Sequence, residues 1–286
     1  MTSAKQSDVL LSQLKLGQAT EYNDQYDASL LQSVPRSLMR DTLSLSDDAF
    51  VGHDIWTAFE LSWLTKKGKP QVAIAEFYFA VNSPNLVESK SFKLYLNSFN
   101  QTKLANQDEL QKIMQRDLKK ASGGEVSVIL YSLAEFGKRP LSALAGTCID
   151  DLDINVSEYN YAPELLKHQA DIHDDELVEE TLSSDLLKSN CLVTGQPDWA
   201  SVQIYYQGKA IDHAALLRYL ISFRGHNEFH EHCVERIYCD IKSRLKPQKL
   251  RVYARFTRRG GLDINPIRAS HQALISERLT ERTPRQ

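Results

Sequence analysis

Residues 55–81, IWTAFELSWLTKKGKPQVAIAEFYFAV, contain two long apolar stretches separated by the short polar segment KKGKP at 66–70. Two β-prone stretches on either side of a turn that contains Gly and Pro predict a β-hairpin. The second stretch, 71–81, alternates like a strand but has apolar residues on both faces, which predicts that it is well buried. The SPN segment at 83–85 ends it.

Downstream of the hairpin, the segment DELQKIMQRDLKK at 108–120 places its apolar residues at helical spacing. These residues are Leu110, Ile113, Met114 and Leu118. The pair Gly123-Gly124 is expected to end this helix, because glycine favours the left-handed conformation found after helix ends. The apolar segment EVSVILYSL at 125–133 then predicts another strand.

The second half of the chain repeats this order. YLNSF at 95–99 matches YLISF at 219–223, an offset of 124 residues that also carries Ile113 to Ile237 and Val128 to Val252. Strand patterns at 197–212 and 250–259 flank helical patterns at 213–223 and 228–245. Such a register indicates an internal duplication. Each copy is predicted to be an α+β unit of the order strand, strand, helix, helix, strand, whose antiparallel sheet has helices packed on one face.

Composition narrows the class of protein. The 286 residues are 42% hydrophobic and 25% charged, with a formal net charge of −3, which argues against a direct nucleic-acid binder. No apolar run reaches the roughly 20 residues that span a bilayer, and the N-terminus lacks a secretory signal. The four cysteines are therefore expected to be reduced thiols in the cytoplasm. We expect an N-terminal arm at 1–50, a first module at 51–150, an acidic connector at 151–182 and a second module at 183–286.

The segment KSNCLVTGQPDW at 188–199 is the first candidate for chemistry. Cys191 precedes Asp198 by seven residues, and Gly195 and Pro197 between them predict a loop. A thiolate is a strong nucleophile, and a carboxyl held protonated acts as an acid. Taken alone, the segment fits equally a buried structural thiol followed by an aspartate that caps a turn.

The segment HNEFHEHC at 226–233 is the densest group of titratable side chains. If it is helical throughout, His226, His230 and Cys233 share one face and suit zinc. His230 and Glu231 alternatively bind a polar ring by hydrogen bonds, or the segment is a solvated helix start. The duplication places Asn106-Gln107 at the matching positions of the first copy, so this titratable pair belongs to the second copy only.

A phosphate-type site is predicted at TRRGGLDINP, residues 257–266. Arg258 and Arg259 provide forked donors, and Gly260-Gly261 allow close approach to the main chain. The Lys- and Ser-rich segment ESKSFK at 88–93 offers further donors in the first copy. An ordinary glycine turn with solvated arginines explains 257–266 equally well. Neither a GxGxxG nor a P-loop motif is present, so a dinucleotide is expected to bind by another scheme.

Several of these motifs resemble one known family in their residues and in their order. ESKSFKLY at 88–95 resembles the signature of the NADPH-dependent 7-cyano-7-deazaguanine reductases, the nitrile reductases of queuosine biosynthesis. The segments LLKSNCLVTGQPDW at 186–199, RYLISFRGHNEFHEHCVERI at 218–237 and VYARFTRRGGLDINP at 252–266 resemble the long, two-module form of that family. The resemblance implies tandem tunnelling-fold modules, each an antiparallel sheet with two helices.

The resemblance also implies an activity, which is the four-electron reduction of the nitrile to an aminomethyl group by two NADPH, in a homodimer without a catalytic metal. It implies that Cys191 forms a covalent thioimide with the nitrile carbon and that Asp198 donates protons. The implied substrate-binding residues are Glu88, Ser89, Lys90, His230 and Glu231, and the implied cofactor-binding residues are Lys90, Ser91, Arg259 and Gly260. Glu88 is then expected to lie close to Cys191, in a site that both modules form.

Two other functions stay open at this stage. Zinc enzymes that hydrolyse GTP share the tunnelling fold, so a zinc-dependent cyclohydrolase is the first alternative. A non-catalytic purine-binding module, in which Cys191 is only structural, is the second. The nitrile reaction suits the residues, because hydride adds to a nitrile only poorly and a thiolate first converts it to a more reactive C=N bond.

Overall fold

A computed structural model of the chain describes residues 22–43, 45, 49–170, 177–275 and 282–286. The fold is α+β, and the chain divides into two compact units. The first unit contains 22–43, 54–139 and 258–263, and the second contains the remaining described residues. No helix within the described ranges has the length and apolarity needed to cross a membrane.

The sheet of the first unit is built on the predicted hairpin. Its strands are β2 (Val51–Thr65), β3 (Pro70–Ala80), β5 (Lys103–Leu104) and β6 (Val126–Tyr131), while β1 (Ser33–Pro35) and β4 (Asn85–Val87) pair separately. The strand β3 lies between β2 and β6 and runs antiparallel to β6, with Phe77 opposite Val128. The turn between β2 and β3 closes with a 2.9 Å hydrogen bond from the Thr65 amide to the Lys69 carbonyl. The predicted hairpin and the predicted third strand are confirmed.

The helices of the first unit are α1 (Ser37–Arg40), α2 (Ser89–Asn97), α3 (Gln107–Ser122) and α4 (Leu133–Phe136). The helix α3 begins after Asn106, whose side chain accepts a hydrogen bond from the Glu109 amide. It ends at Gly123, whose φ of 71° is the left-handed conformation expected after a helix. Leu110, Met114 and Leu118 are fully buried, as their spacing predicts, and Phe92 of α2 packs edge-on against Phe77.

The second unit repeats the same order of elements. Its strands are β7 (Thr147–Cys148), β8 (Leu177–Asn190), β9 (Pro197–Lys209), β10 (Lys249–Phe256) and β11 (Leu262–Ala269), and its helices are α5 (His213–Ser222) and α6 (His230–Leu245). The sheet order is β11-β10-β9-β8-β7, and every pair is antiparallel except β7 with β8. The helices α2 and α5 begin 124 residues apart, at Ser89 and His213, which is the offset of the sequence repeat.

The helices of the second unit cover one face of its sheet. Val202 and Ile204 of β9 share a buried cluster with Leu216 of α5 and Ile237 of α6. The intervening residue Gln203 points to the other face, where its amide nitrogen donates to the Ala145 carbonyl at 2.9 Å, and so lies on the side that the helices do not cover. This is the antiparallel α+β unit, with helices on one face of the sheet, that the sequence predicts.

Two local expectations need correction. The strand β8 begins at Leu177, inside the range 151–182 expected to be an acidic connector. The strand β10 is not the last strand, because β11 follows Gly260-Gly261. The turn predicted between Cys191 and Asp198 is confirmed, since 191–196 connects β8 to β9. Of the expected N-terminal arm, residues 1–21 lie outside the described residues. The arm packs on the first unit at Tyr26, whose hydroxyl donates to Asp117 at 2.6 Å.

Candidate active site

A β-hairpin in the second unit carries both Cys191 and Asp198. Cys191 is the first residue after β8, and Asp198 is the second residue of β9. The turn closes with hydrogen bonds from the Cys191 amide to the Gln196 carbonyl at 2.8 Å and from the Gly195 amide to the Cys191 carbonyl at 2.9 Å. Gly195 has a φ of 66°, which explains the glycine. The spacing of seven residues thus places the thiol and the carboxyl at the same end of one hairpin.

Asp198 is buried beside His230. Its side chain is 2% exposed, and its Oδ2 lies 3.2 Å from Nε2 of His230 at the start of α6. The imidazole stacks on the ring of Phe256 in β10, with centroids 4.0 Å apart and planes 15° apart. Nδ1 of His230 is buried and has no hydrogen-bond partner within the described ranges. The imidazole plane is therefore fixed, with one nitrogen on Asp198 and the other available to a ligand.

Two cysteines of the second unit, Cys233 and Cys239, have raised pKa values. Burial is the main cause that raises the pKa of the Cys233 thiol well above its usual value, and the charge of Glu228 adds to it. Burial also raises the pKa of Cys239, to about 12. Both thiols stay protonated near neutral pH and are poor nucleophiles. Cys191, which is 5% exposed, is the thiol that shares the hairpin with Asp198.

The segment before α6 joins that helix to the hairpin. The Asn190 amide donates to the His226 carbonyl at 2.8 Å, and the Glu228 amide donates to the Asn190 carbonyl at 3.0 Å. Asn190 immediately precedes Cys191, so these two bonds bring the segment before α6 next to Cys191. His230 and the buried Glu231 are the first two residues of that helix.

The face proposed for zinc does not form. The helix α6 begins at His230, so His226 lies outside it and cannot share a helical face with His230 and Cys233. Nε2 of His226 instead lies 3.0 Å from Oε2 of Glu228. Across the part of the chain that the structure describes, no three His, Cys, Asp or Glu side chains form a group suited to a metal.

Glu88 in the first unit is the buried N-cap of α2. One carboxylate oxygen accepts from the Lys90 amide and the other from the Ser91 amide, each at 2.7 Å. The Ser89 hydroxyl is 3.4 Å from the first of these oxygens. Each carboxylate oxygen has two lone pairs and can accept a second hydrogen bond. Glu88 therefore holds the Ser-Lys-Ser start of α2 and keeps capacity for a ligand N–H.

The glycine turn at 258–261 and the start of α2 both lie near Glu60 of the first unit. Lys93, one helical turn after Lys90, forms an ion pair with Glu60. A Cβ atom added at Gly261 would lie 2.5 Å from Cδ of Glu60. Gly260 and Gly261 have φ values of 56° and 78°, and the space at Gly260 is open. Glu60 thus lies close both to α2, through Lys93, and to the glycine turn, through Gly261.

Each unit holds one group of the predicted site residues. Cys191, Asp198, His230 and Glu231 belong to the second unit, and Glu88, Ser89, Lys90, Ser91, Arg259 and Gly260 belong to the first. The expected approach of Glu88 to Cys191 stays a prediction. Sequence reasoning missed Phe256 as the platform under His230, because an apolar strand residue gives no signal of that role. It also missed Glu60, an acidic residue in a largely apolar strand.

Comparison with known proteins gives matches in both halves. A family model described as nitrile reductase, 7-cyano-7-deazaguanine-reductase N-terminal region, matches residues 22–130. A second, described as QueF-like protein, matches residues 197–274. A crystal structure of the archaeosine synthase QueF-Like in its apo form is 17% identical over 32% of this chain and 91% of that chain, with a TM-score of 0.29. The two family models together span about two thirds of the chain and include the hairpin residue Asp198 and the start of α6. The chain belongs to the QueF family.

Proposed function

We propose that this protein is an NADPH-dependent 7-cyano-7-deazaguanine reductase of queuosine biosynthesis. It reduces the nitrile to an aminomethyl group through a covalent intermediate on Cys191. The observation that carries the proposal is the hairpin that holds Cys191 next to the buried Asp198–His230 pair, in a chain of the QueF family. We further expect a cytoplasmic homodimer, for which the resemblance is the support.

The first step joins the Cys191 sulfur to the nitrile carbon. The thiol loses its proton, a C–S bond forms, one π bond of the C≡N group breaks, and the nitrogen takes up one proton. The product is a neutral thioimide, and no oxidation or reduction has occurred. Proton delivery to the nitrogen as charge develops is the work of a general acid. Asp198 is placed for it, because burial beside His230 lets the pair hold and pass one proton.

The substrate ring is expected to be recognised by hydrogen bonds. A deazaguanine edge presents N–H donors, for which a carboxylate is the natural acceptor. Glu231 is buried at the start of α6, directly after His230, whose Nδ1 has no fixed partner within the described chain. We therefore propose that His230 and Glu231 bind the ring, with Glu88, Ser89 and Lys90 supplied by the first unit.

The residues of the first unit fit the phosphates of NADPH. The open space at Gly260 allows close approach to the main chain, and a side chain there would fill it. Arg259 in the turn and Lys90 at the start of α2 offer forked and ammonium donors. The hydroxyl of Ser91 is fully buried and donates to the Glu88 carbonyl at 2.7 Å, so Ser91 supports this end of α2. When bound, NADPH supplies the two hydrides of the four-electron reduction. The role of this chain is to hold the cofactor.

The proposal is tested with purified protein, 7-cyano-7-deazaguanine and NADPH. We expect loss of the nicotinamide absorbance, with two NADPH consumed per nitrile, and a covalent adduct in intact-mass spectra when the nitrile is added alone. Cys191→Ala is expected to abolish both. Absence of NADPH oxidation by intact, folded protein would sink the proposal, and stoichiometric zinc that activity requires would favour a cyclohydrolase instead.

A further inference from the structure

The helix that carries His230 and Glu231 begins without a side-chain cap. Its N-cap residue is Phe229, which makes no capping hydrogen bond. The first amides of a helix have no partner within the helix, and an uncapped first turn frays more readily. Two site residues of the proposed reductase therefore lie in the turn of α6 that its own capping supports least.

Glu228, two residues before His230, replaces this support with a buried ion pair. It is 1% exposed, and its carboxylate accepts from Nη2 of Arg236 at 2.6 Å and from Nε at 2.9 Å. Nε2 of His226 lies 3.0 Å away on the other side. Burial pushes the pKa of Glu228 upward, but the hydrogen bonds from His226 and Arg236 outweigh it and hold the pKa below its usual value. The carboxylate is therefore charged at neutral pH.

The same residue is tied to the nucleophile through its main chain. Its amide donates to the carbonyl of Asn190, the residue before Cys191, and the Asn190 amide donates back to His226. The side-chain amide of Asn190 reinforces this contact, with Nδ2 3.1 Å from Oδ1 of Asn227. Glu228 thus connects Arg236, deep in α6, with the end of the strand that presents Cys191.

We propose that Glu228 is a positioning residue that sets His230 and Glu231 against Cys191. This inference rests on the proposed function of those three residues. A Ser hydroxyl at residue 229 would cap the helix without burying a charge, whereas an isolated buried charge is costly. The ion pair of Glu228 and Arg236, which we call the clasp, fixes the start of α6 relative to the hairpin, and a helix cap alone does not do this.

The test is the rate of thioimide formation in full-length Glu228→Gln. The protein is mixed with 7-cyano-7-deazaguanine, the reaction is quenched at set times, and the intact mass is recorded. We expect a rate lower by about 10- to 100-fold, because a misplacement of about 1 Å has effects of that size. The affinity for the nitrile, measured by calorimetry in a Cys191→Ala background, is expected to change by less than about threefold. His230 and Glu231 are consecutive and shift together, and the proposed contacts from Glu88, Ser89 and Lys90 do not depend on Glu228.

Glu235→Gln is the matched control. Glu235 lies on the same helix, is fully buried and pairs with Arg268 at 2.8 Å, outside the segment next to Cys191. It is expected to lower the melting temperature without slowing adduct formation. A Glu228→Gln rate within about threefold of wild type, or no slower than that of Glu235→Gln, overturns the inference. If Glu228→Gln does not fold, Glu228→Asp keeps the charge with a shorter reach, and its rate is judged by the same threshold.

The inference and the proposed function fail in different ways. Absence of an adduct in wild-type protein removes the function, whatever Glu228 does. Hydrogen exchange at the amides of 226–231 then still tests the clasp, because it needs no substrate. Exchange in that segment is expected to rise in Glu228→Gln and not in Glu235→Gln, and equal exchange in the two variants contradicts the clasp.

Discussion

Nε2 of His230 lies 3.2 Å from Oδ2 of Asp198, and the imidazole is stacked on Phe256 at a centroid distance of 4.0 Å. The stacking fixes the plane of the ring, and the carboxyl fixes which nitrogen faces β9. In the proposed mechanism this pair delivers the protons that the nitrile nitrogen takes up, which is the role of a general acid.

Asp198→Asn is expected to separate thiol addition from reduction. The amide keeps the size of the side chain and removes the transferable proton. We expect the covalent adduct on Cys191 to form still, more slowly, and NADPH oxidation to fall by at least about 100-fold, the range for loss of a general acid. Intact mass and nicotinamide absorbance measure the two steps. Turnover close to that of wild type contradicts a role for Asp198 in proton transfer.

The thiols predict a single site of modification. Because burial raises the pKa of Cys233 well above its usual value, its thiol is expected to stay unreactive toward the nitrile. Cys233→Ser should therefore keep the adduct, and Cys191→Ser should lose it. Peptide mapping after treatment with 7-cyano-7-deazaguanine identifies the modified residue. An adduct that persists in Cys191→Ser and maps to residue 233 contradicts the assignment of the nucleophile.

The two glycines of the 258–261 turn are expected to differ. Both have positive φ, so either alanine is strained, at about 1 kcal/mol. Gly261→Ala also places a Cβ atom 2.5 Å from Cδ of Glu60, whereas the space at Gly260 is open. We expect Gly261→Ala to lower the melting temperature more than Gly260→Ala does.

The double variant Glu60→Ala/Gly261→Ala tests the cause of that difference. Removing the Glu60 carboxylate removes the clash and leaves only the backbone strain. We expect its melting temperature, relative to Glu60→Ala alone, to fall no further than that of Gly260→Ala relative to wild type. A fall as large as that of Gly261→Ala in the wild-type background excludes the Glu60 clash as the cause.

Periodicity predicted the regular part of the fold for a physical reason. The helix α3 and the strands β3 and β6 bury one continuous apolar face or stretch each, so their period shows in the sequence. The strand β11 was missed because Asp263, Asn265 and Pro266 resemble a turn. All three are buried in the fold, and Asn265 is satisfied by a 2.8 Å hydrogen bond from the Gln286 side chain. A partner 21 residues away leaves no local signal.

The site residues, too, could be predicted from the sequence only where they lie close together in the chain. Cys191 and Asp198 are close in sequence, and their segment was recognised, because Gly195 and Pro197 indicate the turn that connects β8 to β9. The contact between Asp198 and His230 joins residues 32 positions apart, and only the resemblance to a family pointed to it. Glu228 drew no attention, because a glutamate before a helix is usually solvated. Its importance depends on Arg236 and on burial, and neither is visible without coordinates.

The buried ion pair of Glu76 and Arg139 predicts the response of the first unit to a charge change. Glu76 on β3 is 4% exposed, and it also accepts hydrogen bonds from Tyr78 at 3.0 Å and Tyr131 at 3.1 Å. Arg139→Met leaves this carboxylate buried without its cation. We expect a loss of about 3–5 kcal/mol in the free energy of opening of the first unit. Hydrogen exchange at the amides of β3 and β6 measures it, and Lys119→Met, which breaks the exposed ion pair of Lys119 and Glu125, is the control.

The sign of the pH dependence follows from Glu76. Burial raises its pKa, but the hydrogen bond and charge of Arg139 lower it more, so the net pKa lies below the usual 4.5. A lowered folded-state pKa gives stability that is present above pH 4.5 and lost as the pH falls through the folded value. The difference in stability between wild type and Arg139→Met is therefore expected to be largest at neutral pH and to shrink below pH 4.5. A difference that stays constant down to pH 3 contradicts a charged Glu76. When Glu76→Gln is compared with Glu76→Gln/Arg139→Met, the difference in stability should not depend on pH in this range.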